Sequence, residues 1–215
     1  MEKDAVTLKD VQEAAKRLAS VVHKTPLESN HTFSTIAGHE VLLKLENMQR
    51  TGSFKVRGAS NCIQTLSPEK KACGVITASA GNHAQGVALG ASKAGIKSTI
   101  VMPEGAPLAK IEATRGYGAE VVLAGSVYDE AFAEAVRIQK ETGATFVHAY
   151  DNPAVIAGQG TIGLEILEQC PDIKAIVVPV GGGGLLAGVA AAVKATAPHV
   201  KVYGVQATGA PAMYL

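Results

Sequence analysis

Three short stretches of this chain carry residue types that can do chemistry. The first is Thr51-Gly52-Ser53-Phe54-Lys55-Val56-Arg57-Gly58. A strand-like run over 41–45 leads toward it, and a helix is expected to start at Ser53 or Phe54 with the Ser53 hydroxyl as its N-cap. That puts Lys55 in the first helical turn, where the helix dipole disfavours a cation. A lysine with a lowered pKa holds more free amine for covalent chemistry, although a solvated lysine beside a helix start is the plainer local reading. The second stretch is Thr77-Ala78-Ser79-Ala80-Gly81-Asn82-His83, small and polar between a strand and a helix. Backbone amides at that helix start suit a carboxylate, and Ser79 and Asn82 can add hydrogen bonds; an ordinary capped turn would look the same. The third is Gly181-Gly182-Gly183-Gly184-Leu185, directly after an apolar strand. Successive glycines let the backbone wrap a small anion closely, the helix dipole adds attraction, and a purely structural reason for so many is hard to find.

No Gly-Lys-Ser/Thr follows the glycines, so this is not a nucleotide P-loop. The dinucleotide spacing also fails, and the next strand ends in Gln206 rather than an acid for a ribose. A phosphate without a nucleotide fits better. An amine, a carboxylate cradle and a phosphate cradle together point to an amino acid and pyridoxal 5'-phosphate. The histidines at 23, 31, 39, 83, 148 and 199 show no zinc-type spacing, and no Ser/His/Asp order is legible. His83 lies beside the carboxylate cradle and is the one histidine placed to touch substrate.

These stretches need elements to hold them. Leu8, Val11, Ala15, Leu18 and Val22 recur at helical spacing, with Thr7 and Asp10 as a capping-box start, and Gly38 closes a second short helix. From Gly74 strands and helices alternate. Strands are expected at 75–78, 98–102, 119–123, 145–147, 175–180 and 201–205, and helices at 82–94, 107–115, 127–142, from after the loop 149–153 to 168, and 185–197. Such alternation with short loops implies an α/β fold of open parallel sheets covered by helices on both faces.

The 215 residues carry a formal net charge of +1, which gives no long-range bias toward nucleic acid or an anionic membrane. Three cysteines without a CxxC pair suggest a reducing compartment, and no apolar run reaches membrane-spanning length. A cytoplasmic protein without nucleic-acid or membrane partners is the expectation.

Ser53-Phe54-Lys55-Val56-Arg57-Gly58, Ser79-Ala80-Gly81-Asn82-His83 and Gly181 to Gly184, in that order and separation, resemble the fold-type II pyridoxal-phosphate enzymes. Within them the chain is similar to the threonine (serine) dehydratases, or threonine ammonia-lyases, over essentially its whole length. The resemblance implies that Lys55 carries the cofactor covalently and, once freed, removes the substrate α-proton. It implies that Phe54 packs on the cofactor ring, Asn82 bonds the ring hydroxyl, and Gly181, Gly182, Gly183, Gly184 and Leu185 hold the phosphate. Ser79, Ala80, Gly81, Asn82 and His83 would take the substrate carboxylate. The implied activity is that of a carbon–nitrogen lyase: L-threonine to 2-oxobutanoate and ammonia, and L-serine to pyruvate, in a homo-oligomer.

Departures from relatives narrow the choice. Serine racemases of this family carry a second serine in the cradle as an acid/base; here it is Ala80, which moves no proton. Tyr150-Asp151 likewise looks like dehydratases. Gln206 and Ala212 stand where racemases place acids for a divalent cation, so no metal site is expected. The family's layout implies a large domain of 1–60 and 147–215 with a small domain, 61–146, inserted in it. The chain stops after a strand without its covering helix, which reads as a fragment with the end of the large domain missing. A racemase, a β-replacing synthase, or an inert cofactor-binding fragment are the alternatives.

Overall fold

The computed structural model describes residues 6–214. Helix α1 (Leu8–Leu18) begins with the expected capping box: the Thr7 side chain accepts from the Asp10 N–H, and Asp10 accepts from the Thr7 N–H. Its apolar stripe, Val11, Ala14 and Leu18, is buried. Strand β1 (Leu27–Ser29), helix α2 (His31–Ala37) and strand β2 (Leu42–Lys44) follow, and β1 pairs antiparallel with β2. Gly38 ends α2 at φ 72°, a left-handed conformation glycine adopts without a Cβ penalty. A single 3₁₀ turn, Glu46–Met48, leads through a loop to α3 (Lys55–Gln64). The short helix α4 (Pro68–Cys73) is capped by Ser67, with proline in its first turn.

Next come β3 (Val75–Ala78), α5 (Asn82–Lys93), β4 (Ser98–Met102), α6 (Leu108–Gly116), β5 (Glu120–Leu123), α7 (Tyr128–Thr142) and β6 (Thr145–Phe146). These strands form one parallel sheet in the order β5-β4-β3-β6. Period-two alternation splits its core between two faces. Val75 and Ile100 face α3 and α5, together with Val87 and Ala91, while Ile76, Ala78 and Val101 face α7 through Ala131 and Ala135. The chain continues with α8 (Pro153–Gln169), β7 (Ala175–Pro179), α9 (Gly184–Thr196) and β8 (Lys201–Val205). Strands β7 and β8 pair in parallel, and Ile176, Val178 and Val200 pack on Ile162, Ile166, Val189 and Val193 of α8 and α9.

Two expectations need correcting, and two elements were missed. The N-cap of α3 is Phe54, already helical at φ −62° and ψ −16°, and not Ser53. The Ser53 hydroxyl stands one residue outside and accepts the Lys55 N–H at 3.4 Å. Helices cover both faces of the four-stranded sheet, but β7 alternates exposed and buried positions, so one face of the β7–β8 sheet is open. Val177, Tyr203 and Val205 lie on that sheet at 64%, 49% and 56% exposure. Finally, β1 and α4 were not anticipated. Their few residues bury too little apolar surface to leave a periodic signal.

Candidate active site

Close approach of backbones sets the position of Lys55. A Cβ on Gly158 of α8 would stand 2.7 Å from the Arg57 carbonyl oxygen and 2.7 Å from the Gly58 Cα. The same holds on the other side of α3, where a Cβ on Gly86 of α5 would stand 3.0 Å from the Lys55 carbonyl carbon. Glycine in the middle of α5 and α8 costs helix stability. Here it lets α3 sit against both neighbours with nothing between.

Behind Lys55 is a buried cluster of four charges. The Arg57 side chain has no solvent exposure. Its guanidinium donates to Glu46 at 2.9 and 2.8 Å, to Glu165 at 2.6 and 3.0 Å, and to the Thr161 hydroxyl at 3.1 Å. Lys44 donates to Glu165 at 2.6 Å and to the Thr25 carbonyl at 2.7 Å. Two cations and two carboxylates balance, so the cluster ties β2, the 3₁₀ turn, α3 and α8 together without a stranded charge.

Lys55 points out of this frame into a cavity. Its Nζ donates to the Ala149 carbonyl at 2.8 Å and lies 5.3 Å from the centre of the Phe54 ring. Burial pushes the Lys55 amine below the ordinary lysine pKa. The sequence reading assigned that shift to the helix dipole; desolvation is the cause in the structure. The cavity, about 470 Å³, is lined by Phe54, Lys55, Ala149, Tyr150, Gln159 and the run from Pro179 through Leu186. Val205 and Ala207 line it as well.

The glycine run crosses from β7 into α9. Gly183 adopts φ 83° and caps α9, a conformation that a side chain would strain. A Cβ on Gly182 would stand 2.5 Å from the Tyr150 ring, and one on Gly184 would stand 2.8 Å from the Tyr150 carbonyl oxygen. So packing does account for three of the four glycines, contrary to the sequence reading. Gly181 is different: a Cβ there meets nothing.

The Ser79–His83 turn lies nearby but does not line this cavity. Ser79 Oγ accepts the Gly81 N–H at 3.2 Å, and Asn82, exposed, begins α5 one turn before Gly86. His83 is 4% exposed, and its Nε2 lies 2.9 Å from the Val147 carbonyl. A carbonyl only accepts, so Nε2 carries the proton and Nδ1 is left bare, without a partner among the described residues. Burial lowers the His83 pKa to about 4, which keeps the ring neutral. The segment Val147–Tyr150 thus touches every part of the site: Val147 holds His83, Ala149 holds Lys55, and Tyr150 backs the glycine run.

Ala149, Tyr150 and Gln159 were not among the expected site residues. A signal existed for Gln159, an amide between two glycines in a helix otherwise apolar around it. Ala149 carries its role on the backbone, where sequence holds no trace.

Residues 18–215 match the family described as pyridoxal-phosphate dependent enzyme. The L-threonine ammonia-lyase of Thermotoga maritima is 56% identical over 208 residues, which is 97% of this chain and 52% of that protein. The chain therefore spans about half the length of the curated relatives it matches. Among solved structures, maize serine racemase superposes with a TM-score of 0.93 at 40% identity, over 96% of this chain and 63% of that one. Threonine deaminase isoform 2 of Solanum lycopersicum gives 0.92 at 45% identity, over 96% and 56%. A partly buried amine on the same cavity as a glycine run, on an α/β frame shared with these proteins, agrees with the family match over nearly the whole chain. The chain belongs to the family of pyridoxal-phosphate dependent enzymes.

Proposed function

We propose that the protein is a threonine ammonia-lyase, converting L-threonine to 2-oxobutanoate and ammonia and acting also on L-serine to give pyruvate. The observation that carries this is the desolvated Lys55 amine opening onto the same cavity as Gly181–Gly184. The residues present fit the family's cofactor. Lys55 offers an amine for its aldehyde, and Phe54 an apolar ring beside that amine. The glycine run would hold the phosphate with backbone amides at the start of α9, where any larger residue at 182 or 184 would strike Tyr150.

When bound, pyridoxal phosphate supplies an electron sink for charge left at the substrate α-carbon. The chain supplies the rest. Lys55 Nζ, oriented by the Ala149 carbonyl, takes the α-proton when not bonded to the cofactor. The amides of the Ser79–His83 turn, which stands outside the cavity lining, would hold the substrate carboxylate, and Asn82 would bond the ring hydroxyl. His83 stays neutral and braces that turn against Val147.

A second reading, a serine racemase, draws support from the likeness to the maize enzyme. Ala80 weighs against it, since a methyl group cannot deliver a proton to the opposite face of the substrate. We further place the enzyme in the cytoplasm as a homo-oligomer, with 61–146 as its small domain. In support, no helix among the described residues is long and apolar enough to cross a membrane, and the whole four-stranded sheet falls within 61–146.

The test is an absorption spectrum of the protein with pyridoxal phosphate, before and after borohydride, beside Lys55→Ala, followed by assay of 2-oxobutanoate from L-threonine. A visible band lost on reduction and missing from the variant, with turnover, is the expected result. A band that survives Lys55→Ala sinks the lysine assignment. A Lys55-dependent band without turnover favours an inert cofactor-binding chain.

A further inference from the structure

One carbonyl of the glycine run is held by a side chain from outside the cavity. The β7–β8 ladder makes its last backbone bond where the Val180 N–H donates to the Val205 carbonyl at 2.8 Å. One residue further, the Gly181 carbonyl accepts from Gln206 Nε2 at 3.2 Å, its one partner among the described residues. The other end of that side-chain amide is committed too, because Oε1 accepts the Met213 N–H at 3.1 Å. Turning the amide over would set donor against donor at Met213 and acceptor against acceptor at Gly181, so the two bonds fix its orientation together. Two turns bring the chain back for this: the Ala210 N–H donates to the Ala207 carbonyl at 3.0 Å, and the Tyr214 N–H to the Pro211 carbonyl at 2.9 Å. The returning segment also lies against the run, since a Cβ on Gly183 would stand 2.7 Å from Met213 Cε.

A carbonyl held on one side aims an amide at the other. A trans peptide unit is planar, with its C=O and N–H pointing in opposite directions, and no peptide bond among the described residues is cis. The Gly181 carbonyl and the Gly182 N–H belong to one such unit. Val205 and Ala207 line the cavity, whereas Gln206 between them does not. Gln206 thus grips the Gly181 carbonyl from outside, and the Gly182 N–H turns the other way, toward the cavity that Gly182 lines. That N–H has no acceptor among the described residues. Without the grip this peptide would turn over at little cost, because neither of its residues carries a Cβ and the space beside Gly181 is open.

We propose that Gln206 is a positioning residue of the cofactor site, holding the Gly181–Gly182 peptide so that the Gly182 N–H donates to the cofactor phosphate. This rests on the reading of the glycine run as the phosphate cradle. Gln206 itself touches neither phosphate nor substrate; it acts through the peptide it holds. Gln206→Met keeps the side-chain length and removes both hydrogen bonds without adding a charge.

The experiment compares pyridoxal phosphate with pyridoxal, which has the same aldehyde and no phosphate, on the wild-type protein and Gln206→Met. Dissociation constants are read from the absorption band, and thermal melts of the unliganded proteins check the fold. The preference for the phosphorylated ligand should fall by about fivefold or more in the variant, with affinity for pyridoxal held within about twofold. A merely structural role would weaken both ligands alike; that result, or an unchanged preference, overturns the proposal. Should Gln206→Met not fold, the wild type decides through its assigned Gly182 amide resonance. The resonance should shift with pyridoxal phosphate and stay put with pyridoxal; one unmoved by the phosphorylated ligand, or moved alike by both, overturns the proposal. A wild-type protein that binds no pyridoxal phosphate, or binds it no better than pyridoxal, defeats the cradle reading itself, and this inference with it.

Discussion

Gly86 has no side chain because the backbone of Lys55 occupies the space: a Cβ would stand 3.0 Å from the Lys55 carbonyl carbon and 3.0 Å from the Val56 nitrogen. Gly86→Ala must therefore push α3 and α5 apart by a few tenths of an ångström. Because a misplaced reacting group loses rate steeply, the proposed turnover of L-threonine should fall about tenfold or more while stability falls by about 1–2 kcal/mol. Gly90→Ala is the control. It presses instead on the Ser60 hydroxyl at 2.8 Å, away from Lys55. It should cost stability with far less effect on rate; equal rate losses in the two variants would refute a positioning role for Gly86.

Desolvation gives Lys55 an amine that loses its proton at lower pH than an exposed lysine. Covalent labelling by a small amine-reactive aldehyde with reductant, read residue by residue by mass spectrometry, should show this directly. Labelling of Lys55 should rise with pH and reach half its maximum below the midpoint of a free lysine amine in a short peptide. A midpoint equal to that of the peptide would leave Lys55 unperturbed.

The neutral state of His83 links stability to acid. Its folded pKa is about 4 against a reference of 6.5, so the unfolded chain takes up the proton first as pH falls. The stability that depends on a neutral ring is whole above 6.5 and drains away between 6.5 and 4. The loss is about 3–4 kcal/mol at most, from about 1.4 kcal/mol per pKa unit. His83→Gln keeps a donor for the Val147 carbonyl without the titration. Its melting temperature should fall less than that of the wild type over this window, although carboxylates titrate in both.

Arg57→Ala would leave Glu46 and Glu165 facing each other beside Lys44, with one cation where there had been two. Breaking a buried pair this way should cost about 3–5 kcal/mol in urea unfolding. Arg57→Lys should recover only part of that, because one ammonium cannot reproduce the guanidinium fork that reaches both carboxylates and Thr161. Full recovery with lysine would mean that charge alone, and not shape, holds the cluster.

Much of this was legible in the sequence, and for identifiable reasons. The strands Ser98–Met102 and Lys201–Val205 fall where apolar β-branched runs between turn residues place them. The Lys55 region and the glycine run were legible because each combines an unusual residue type with a strand-to-helix junction. What was hidden lies in relationships between distant segments. Nothing local to Gly182 says that Tyr150 presses on it, and nothing local to Lys55 says that the Ala149 carbonyl receives its amine. Ser53 looked like the cap of α3 because its chemistry suits one; the chain turns helical a residue later, and only the backbone angles reveal it.

The bare side of β7 and β8 bears on how the protein behaves in a tube. Val177, Tyr203 and Val205 offer water an apolar sheet face, and among the described residues each strand of the pair has an unpaired edge. Colloidal repulsion does little to keep such faces apart, because the chain carries a formal charge of only +1. This patch gives copies of the chain a place to associate, and turbidity should grow with protein concentration and with sulfate, which strengthens apolar association.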